Sequence, residues 1–388
     1  MRGVTVSAHE LGTTARRVVD VLRAHGARTR AELITLTGLS RPTVAAALTD
    51  LATTGLLTED ASATTGPAGG RPAAVFRLSR AAGLAVGVDI GRRHLRVAVA
   101  DLGHTVLAED AVRLDRDADD HPHAALDLAV RRIDAVLARV GTDRAEVVGV
   151  GLGIPAPVTD AGRIGSPALL PAWSALIPRE ELSGRLGGLA VRADNDANVA
   201  ALAEYVWGAG RDCADLVYVK VATGIGAGII LGGRLYRGTD GTAGELGHVT
   251  LDVNGPVCRC GNRGCVELRA GGRALLDQAR VTLPELGDLA DLVRHASAGD
   301  PGCRRLLLDA GRYLGYALGG LSNLVNPGRI VVGGELGTSE LLLEPLRRGL
   351  AETAMASAAA AVDVVPAQLG DRAAALGGLA LALGVNAA

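Results

Sequence analysis

Three cysteines and a histidine carry the strongest chemistry in the chain: His248 lies ten residues before Cys258, and Cys260 and Cys265 follow within the same 18-residue stretch. Thiolate and imidazole donors at this spacing suit a closed, four-coordinate Zn2+ site, and with no position left for water or substrate the zinc is structural. A disulfide among them would leave one thiol over, and disulfides are rare in reducing compartments. Cys213 and Cys303 have no ligand-type neighbours and read as apolar fillers. A second cluster, Asp194-Asn195-Asp196-Ala197-Asn198, sits where a strand ends and a helix, 199–207, begins. Ligands of open α/β sheets bind at such strand ends, although Asp and Asn at a helix start are also ordinary caps.

These groups need a scaffold, and the hydrophobic pattern supplies one. Apolar runs at 84–91, 95–100 and 105–109 predict a strand meander, followed by a helix over 124–140 and a buried strand over 147–152. Two more strands, 216–221 and 229–231, flank the glycine-rich turn Thr223-Gly224-Ile225-Gly226-Ala227-Gly228. Gly149, Gly151 and Gly153 suggest a dinucleotide-binding loop, but Ile154-Pro155-Ala156-Pro157 follows where that loop requires a helix N-terminus for the pyrophosphate.

The first 80 residues have a different character, with ten arginines against six acidic residues, a net of +4 that leaves −6 for the rest of a chain totalling −2. Phosphate contacts supply most non-specific DNA affinity, so this asymmetry suits a DNA-contacting module on an acidic body. A helix over 13–25 ends at Gly26, and Thr29-Arg30-Ala31-Glu32 has the capping-box pattern of a second helix ending at Thr37. Gly38-Leu39-Ser40 makes a turn into a third helix that buries Val44, Leu48 and Leu51 and presents Arg41, Thr43 and Ala47 on its other face. This is a helix-turn-helix order, whose last helix can set Arg41 and Thr43 against base edges in a major groove. Two strands, 56–59 and 74–78, then bracket a Gly/Pro/Ala-rich wing with Gly69-Gly70-Arg71-Pro72 at its tip, where Arg71 can enter a narrow minor groove. A three-helix packing unit with no nucleic acid partner is the plainer alternative.

With 388 residues, 48% of them hydrophobic, the chain exceeds one compact core and is expected to divide at about residue 80 into a DNA-binding domain, 1–80, and a body, 81–388. Aromatic residues are 2% of the chain, which disfavours base-stacking platforms and points to duplex DNA as the nucleic acid partner. No apolar run approaches the length of about 18 residues needed to span a membrane, so a soluble, cytoplasmic protein is expected.

Gly241-Thr242-Ala243-Gly244-Glu245-Leu246-Gly247-His248, followed by Cys258-Arg259-Cys260-Gly261-Asn262-Arg263-Gly264-Cys265-Val266-Glu267, resembles the signature of the ROK family (repressors, open reading frames and sugar kinases), and the resemblance runs over essentially the whole chain. It implies an α/β body of the two-lobed ribonuclease-H-like type seen in hexokinases and actin, behind a winged helix-turn-helix. Lobe one is expected at about 81–200 plus the C-terminal helix and lobe two at about 201–370. It also implies sugar hydroxyls against Asn195, Asp196, Glu245, His248 and Glu267, with Asp196 at the position of the base in the family's kinases. Two departures matter: the Asp-x-Gly-Gly-Thr phosphate loop reads Asp89-Ile90-Gly91-Arg92-Arg93, and the acid before Asn-Asp is the short Asp194. Two arginine side chains there would crowd the volume of ATP phosphates. The expectation is therefore a non-catalytic, sugar-responsive transcription regulator, a homodimer or homotetramer that binds operator DNA and a small sugar or sugar phosphate. An ATP-dependent sugar kinase with Asp196 as its catalytic base is the alternative, since Gly224 and Gly226 remain.

Overall fold

The computed structural model describes residues 12–61 and 74–385. Helix α1 (Thr13–His25) buries Val18, Val19 and Leu22 and stops at Gly26, where a positive φ suits glycine. A two-residue strand β1 (Arg28–Thr29) leads into α2 (Arg30–Thr37). The capping box is present: the Thr29 N–H donates to the Glu32 carboxylate at 2.7 Å and the Glu32 N–H to the Thr29 hydroxyl at 3.3 Å. Ser40 caps α3 (Arg41–Thr53), which buries Val44, Ala47, Leu48 and Leu51. Ala47 thus corrects the expected exposed face, because it lies three residues after Val44 and four before Leu51 and so shares their stripe. Strands β2 (Leu57–Ala61) and β3 (Ala74–Leu78) pair antiparallel, and β1 adds to the other side of β3. This is a winged helix-turn-helix. The segment between β2 and β3, with Arg71, lies outside the described residues.

Strands β4 (Leu84–Ile90), β5 (His94–Asp101) and β6 (Val106–Arg113) form the meander, followed by α4 (Pro122–Arg139), β7 (Val147–Ile154), α5 (Pro178–Arg185), β8 (Val191–Asn195) and α6 (Asp196–Trp207). A second series follows: β9 (Leu216–Val221), β10 (Ile225–Leu231), β11 (Arg234–Tyr236), α7 (Glu267–Ala270), α8 (Gly272–Ala279), α9 (Leu289–Ser297), α10 (Pro301–Val325), β12 (Arg329–Gly333), α11 (Glu340–Thr353), α12 (Ala356–Ala361), β13 (Asp363–Pro366) and α13 (Ala373–Leu383). The sheets run β6-β5-β4-β7-β8 and β11-β10-β9-β12-β13. Each has an antiparallel meander whose first strand is central and two parallel strands beyond it. That doubled order is the two-lobed ribonuclease-H-like architecture. Gly226 and Gly228 belong to β10, so the glycine-rich turn is shorter than its sequence suggests.

Between the sheets lie α6 and α13. A Cβ on Gly151 would overlap the Gly378 carbonyl, and one on Gly377 the Val199 carbonyl, so α13 seats its backbone directly on the first sheet and on α6. The core of this layer is continuous with that of the winged helix. Cys303 is buried, whereas Cys213 is partly exposed and donates its thiol to the Asp215 carbonyl at 3.3 Å, so only the former is an apolar filler. Among the described residues, no helix is long and apolar enough to cross a membrane.

Candidate functional site

The end of β8 and the start of α6 set the first side chains of the site. Asn195 is the N-cap of α6, its Oδ1 accepting from the Ala197 and Asn198 amides at 2.8 and 3.3 Å, so the capping role and the position at a strand end coexist. Asp194 is buried and braced: its carboxylate accepts from Asn198 Nδ2 at 2.9 Å and from Arg237 Nε at 2.7 Å. Asp196, 7% exposed, accepts from Lys220 Nζ at 2.8 Å. Burial would lower the Lys220 pKa, but Asp196 and then Asp89 outweigh it and hold the ammonium firmly protonated.

Glu245 faces the same space from the loop after β11. Burial, then the charges of Asp196 and Glu267, push its carboxyl up to about 7. Glu267 opens α7 and accepts from the Ile225 amide at 3.1 Å and from Arg259 Nε at 3.0 Å. A Cβ on Gly224 would stand 2.7 Å from that carboxylate, so a larger residue at the turn would displace the Glu267 side chain. His248 directs Nδ1 towards Cys258 Sγ at 3.7 Å and Nε2 towards Glu245 at 3.9 Å. Asp196, Glu245, His248 and Glu267 are thereby brought close to one another, with Asn195 beside them in the chain.

The donor atoms of His248, Cys258, Cys260 and Cys265 lie within 4.8 Å of one another, and all three cysteines are free. Cys260 Sγ and Cys265 Sγ are 3.7 Å apart. Metal–sulfur bonds of about 2.3 Å in a tetrahedron require edges of about 3.8 Å, so the donor set has the size and chemistry to hold a metal of this kind. Burial and the neighbouring thiols push the Cys265 thiol up to about 12. Three thiolates so close are unfavourable without a cation, and a bound cation reverses that balance.

The loop from Asp89 to Arg93 differs from expectation in detail. Arg92 is engaged with Asp117 and Asp119, so its guanidinium is held by its own lobe. The group packed on the loop is His94: a Cβ on Gly91 would overlap its ring, and its Nε2 donates to Asp89 Oδ2 at 2.9 Å. Burial alone would raise the Asp89 pKa, but the His94 hydrogen bond and the charges of His94, Lys220 and Arg96 outweigh it and keep the carboxyl below its ordinary value. Lys220 and His94 were missed from sequence. The available signal was a single lysine among 40 basic residues, set in an otherwise apolar strand.

Of the DNA-facing candidates, Arg41 is exposed at the start of α3, and Thr43 is partly buried with its hydroxyl 2.6 Å from that of Ser40. Thr43 is thus tied into the cap.

A profile described as ROK family matches residues 85–385. The chain is 28% identical to the xylose repressor of Bacillus subtilis (strain 168), covering 90% of this chain and 89% of that protein. Among solved structures, it is similar to a ROK family transcriptional regulator, a homolog of the E. coli MLC protein, with a TM-score of 0.75, 26% identity and coverage of 95% and 94% of the two chains. It is also similar to the ROK hexokinase from Thermus thermophilus, with a TM-score of 0.62, 35% identity and coverage of 77% of this chain and 97% of the hexokinase. From its paired ribonuclease-H-like sheets to its Cys3His loop, the chain belongs to the ROK family.

Proposed function

We propose that the protein is a sugar-responsive, DNA-binding transcription regulator, a repressor of carbohydrate genes whose pocket is braced by structural zinc. One observation carries this reading. Helix α6 starts at the pocket with Asp196 and ends at Trp207, whose ring lies 5.7 Å from that of His104. His104 Nε2 in turn donates to the Arg23 carbonyl of α1 at 2.7 Å. Twelve helical residues span about 18 Å. One rigid element therefore joins the sugar-facing carboxylate to the first helix of the DNA-binding module, and a sugar that moves α6 moves α1. Such coupling requires different sugar affinities in two arrangements and is typically about 1 to 3 kcal/mol.

Support also comes from the repressor and regulator relatives that match almost the full chain. Zinc is supported by four donors lying within 4.8 Å of one another, and fixing His248 would fix Glu245 beside it. Two modules in a two-fold symmetric homodimer or homotetramer would read paired half-sites. The kinase alternative is favoured by Asp196, Gly224 and the hexokinase relative. Against it stand His94 packed on Gly91 and Asp196 engaged by Lys220.

The test is to select operators from random duplexes and measure affinity by fluorescence anisotropy with and without xylose, glucose and N-acetylglucosamine. A preferred operator whose affinity changes with one of these sugars is expected, together with no sugar-dependent ATP turnover. Turnover near 1 per second, within the usual enzyme range, would establish the kinase instead.

A further inference from the structure

The chain's single lysine, Lys220, stands on the central strand of the second sheet and reaches Asp196, the first residue of α6, at 2.8 Å. Asp89 approaches from the first sheet. It is 2% exposed, one oxygen is bound to His94, and Oδ1 has no hydrogen-bond partner among the described residues. An orphaned, buried carboxylate oxygen is costly unless a cation or donor compensates it. Proteins that use nucleotides generally satisfy such carboxylates with the divalent ion that accompanies the phosphates.

We propose that Lys220 is a resident counter-cation standing in place of that divalent ion, and that the pocket it serves takes an uncharged, unphosphorylated sugar. This rests on the sugar-sensing reading above and deepens it by naming the ligand's charge class. Three arginines nearby are already matched: Arg237 by Asp194 at 2.7 Å, Arg259 by Glu267 at 3.0 Å and Arg96 by Asp371 at 2.7 Å. Asp89 keeps Oδ1 without a donor among the described residues, and Glu245 has only His248 at 3.9 Å. A sugar phosphate entering here would have to break an ion pair and then sit among carboxylates, which like-charge repulsion and desolvation both oppose. Sugar hydroxyls need only donors and acceptors, and the pocket is rich in acceptors. Because Lys220 cannot leave, the charge of Asp196 is balanced with no nucleotide present.

The experiment uses the full chain, with thermal unfolding and titration calorimetry as readouts. Glucose, xylose and N-acetylglucosamine are compared with glucose 6-phosphate, xylose 5-phosphate and N-acetylglucosamine 6-phosphate. At least one free sugar is expected to bind, with its phosphate at least about 10-fold weaker, and Mg2+ alone at millimolar concentration is expected to leave the wild-type Tm unchanged. Lys220→Met uncovers both carboxylates and should gain a Mg2+-dependent rise in Tm of about 2 to 4 °C, as mass-action stabilisation by a weak site predicts. Lys220→Arg should keep the wild-type indifference to Mg2+. Equal or tighter binding of a phosphate by the wild type overturns the proposal, as does a folded Lys220→Met with no response to Mg2+. If neither form of any sugar binds, the sugar-sensing reading fails, while the Mg2+ comparison still decides the role of Lys220. If Lys220→Met does not fold, the wild-type comparison of sugars with phosphates decides the proposal.

Discussion

Four donors within 4.8 Å confront the metal loop with a charge balance that protons or a metal must close. Three deprotonated cysteines and a neutral histidine around Zn2+ leave one net negative charge, while metal-free thiols must stay protonated. One zinc per chain is therefore expected by elemental analysis of protein purified near neutral pH, and Cys260→Ser should lose metal and Tm together. Full occupancy in that variant, or a native disulfide between Cys258 and Cys265, would contradict the assignment. A second residue-scale effect belongs to Asp119, which burial and then Asp117 push up to about 6 against the pull of Arg92 and Arg259. A carboxyl whose pKa is higher folded than unfolded favours the fold when protonated, so its contribution is present below its unfolded value of about 4 and is lost as pH rises through about 6. Asp119→Asn should therefore be more stable than wild type at pH 7 by on the order of 2 kcal/mol and should flatten the stability profile between about pH 4 and 6. Urea unfolding across that range checks it, and parallel profiles would refute it.

Helix α6 shows what local sequence can and cannot reveal. Its capping Asn195, like the Thr29–Glu32 box of α2 and Ser40 of α3, is legible because donor and acceptor lie within a few residues. Fully buried Glu204 near its other end is not, because besides the nearby Ala209 amide at 2.7 Å its partners are distant in sequence: the amides of Gln368 at 3.0 Å and Leu369 at 2.9 Å. It pins the end of α6 to the chain entering α13. Glu204→Ala would orphan these amides and should cost about 3 kcal/mol or more, and Glu204→Gln somewhat less, because only one of its two terminal atoms accepts. Denaturant unfolding of the two variants gives the order, and a loss below about 1 kcal/mol for Glu204→Ala would show the anchor to be dispensable. The strands β4 to β7, β9 and β10 were legible as apolar runs, but the short β11, β12 and β13 were not read, nor was β1, since so few residues hold no periodicity. Within the site, the Asp194–Asn198 cluster and the metal loop stood out by type and spacing, whereas Glu245 and Glu267 entered only through the family resemblance. Lys220 did not stand out, because its meaning arises when the second sheet faces α6, and His94 did not, because its bond to Asp89 depends on how the turn between β4 and β5 folds back.

For the molecule as a whole, the contact on which the proposed coupling rests is His104, a non-glycine residue at φ +72° that packs against Gly26, bonds α1 and touches the end of α6. His104→Ala should leave sugar affinity and operator affinity close to wild type when each is measured alone, while the change in operator affinity caused by sugar shrinks towards none. Anisotropy titrations at saturating and zero sugar provide the ratio, and an undiminished ratio would place the coupling elsewhere. The DNA side is tested at the exposed start of α3, where Arg41→Ala should cost about 1 to 3 kcal/mol and relax selection at one base pair per half-site if it reads a guanine bidentately. Arg71→Ala should weaken A·T-flanked operators most. An operator preference untouched by both substitutions would move the reading surface off α3 and the wing.

Because lysine occurs once, a lysine-specific protease has a single peptide bond to cut, between Lys220 and Val221, inside the central strand of the second sheet. That bond is closed to a protease until the strand leaves its neighbours, so the rate at which two fragments appear clocks the opening of the lobe. A bound sugar should slow this clock by the factor through which it stabilises the closed body.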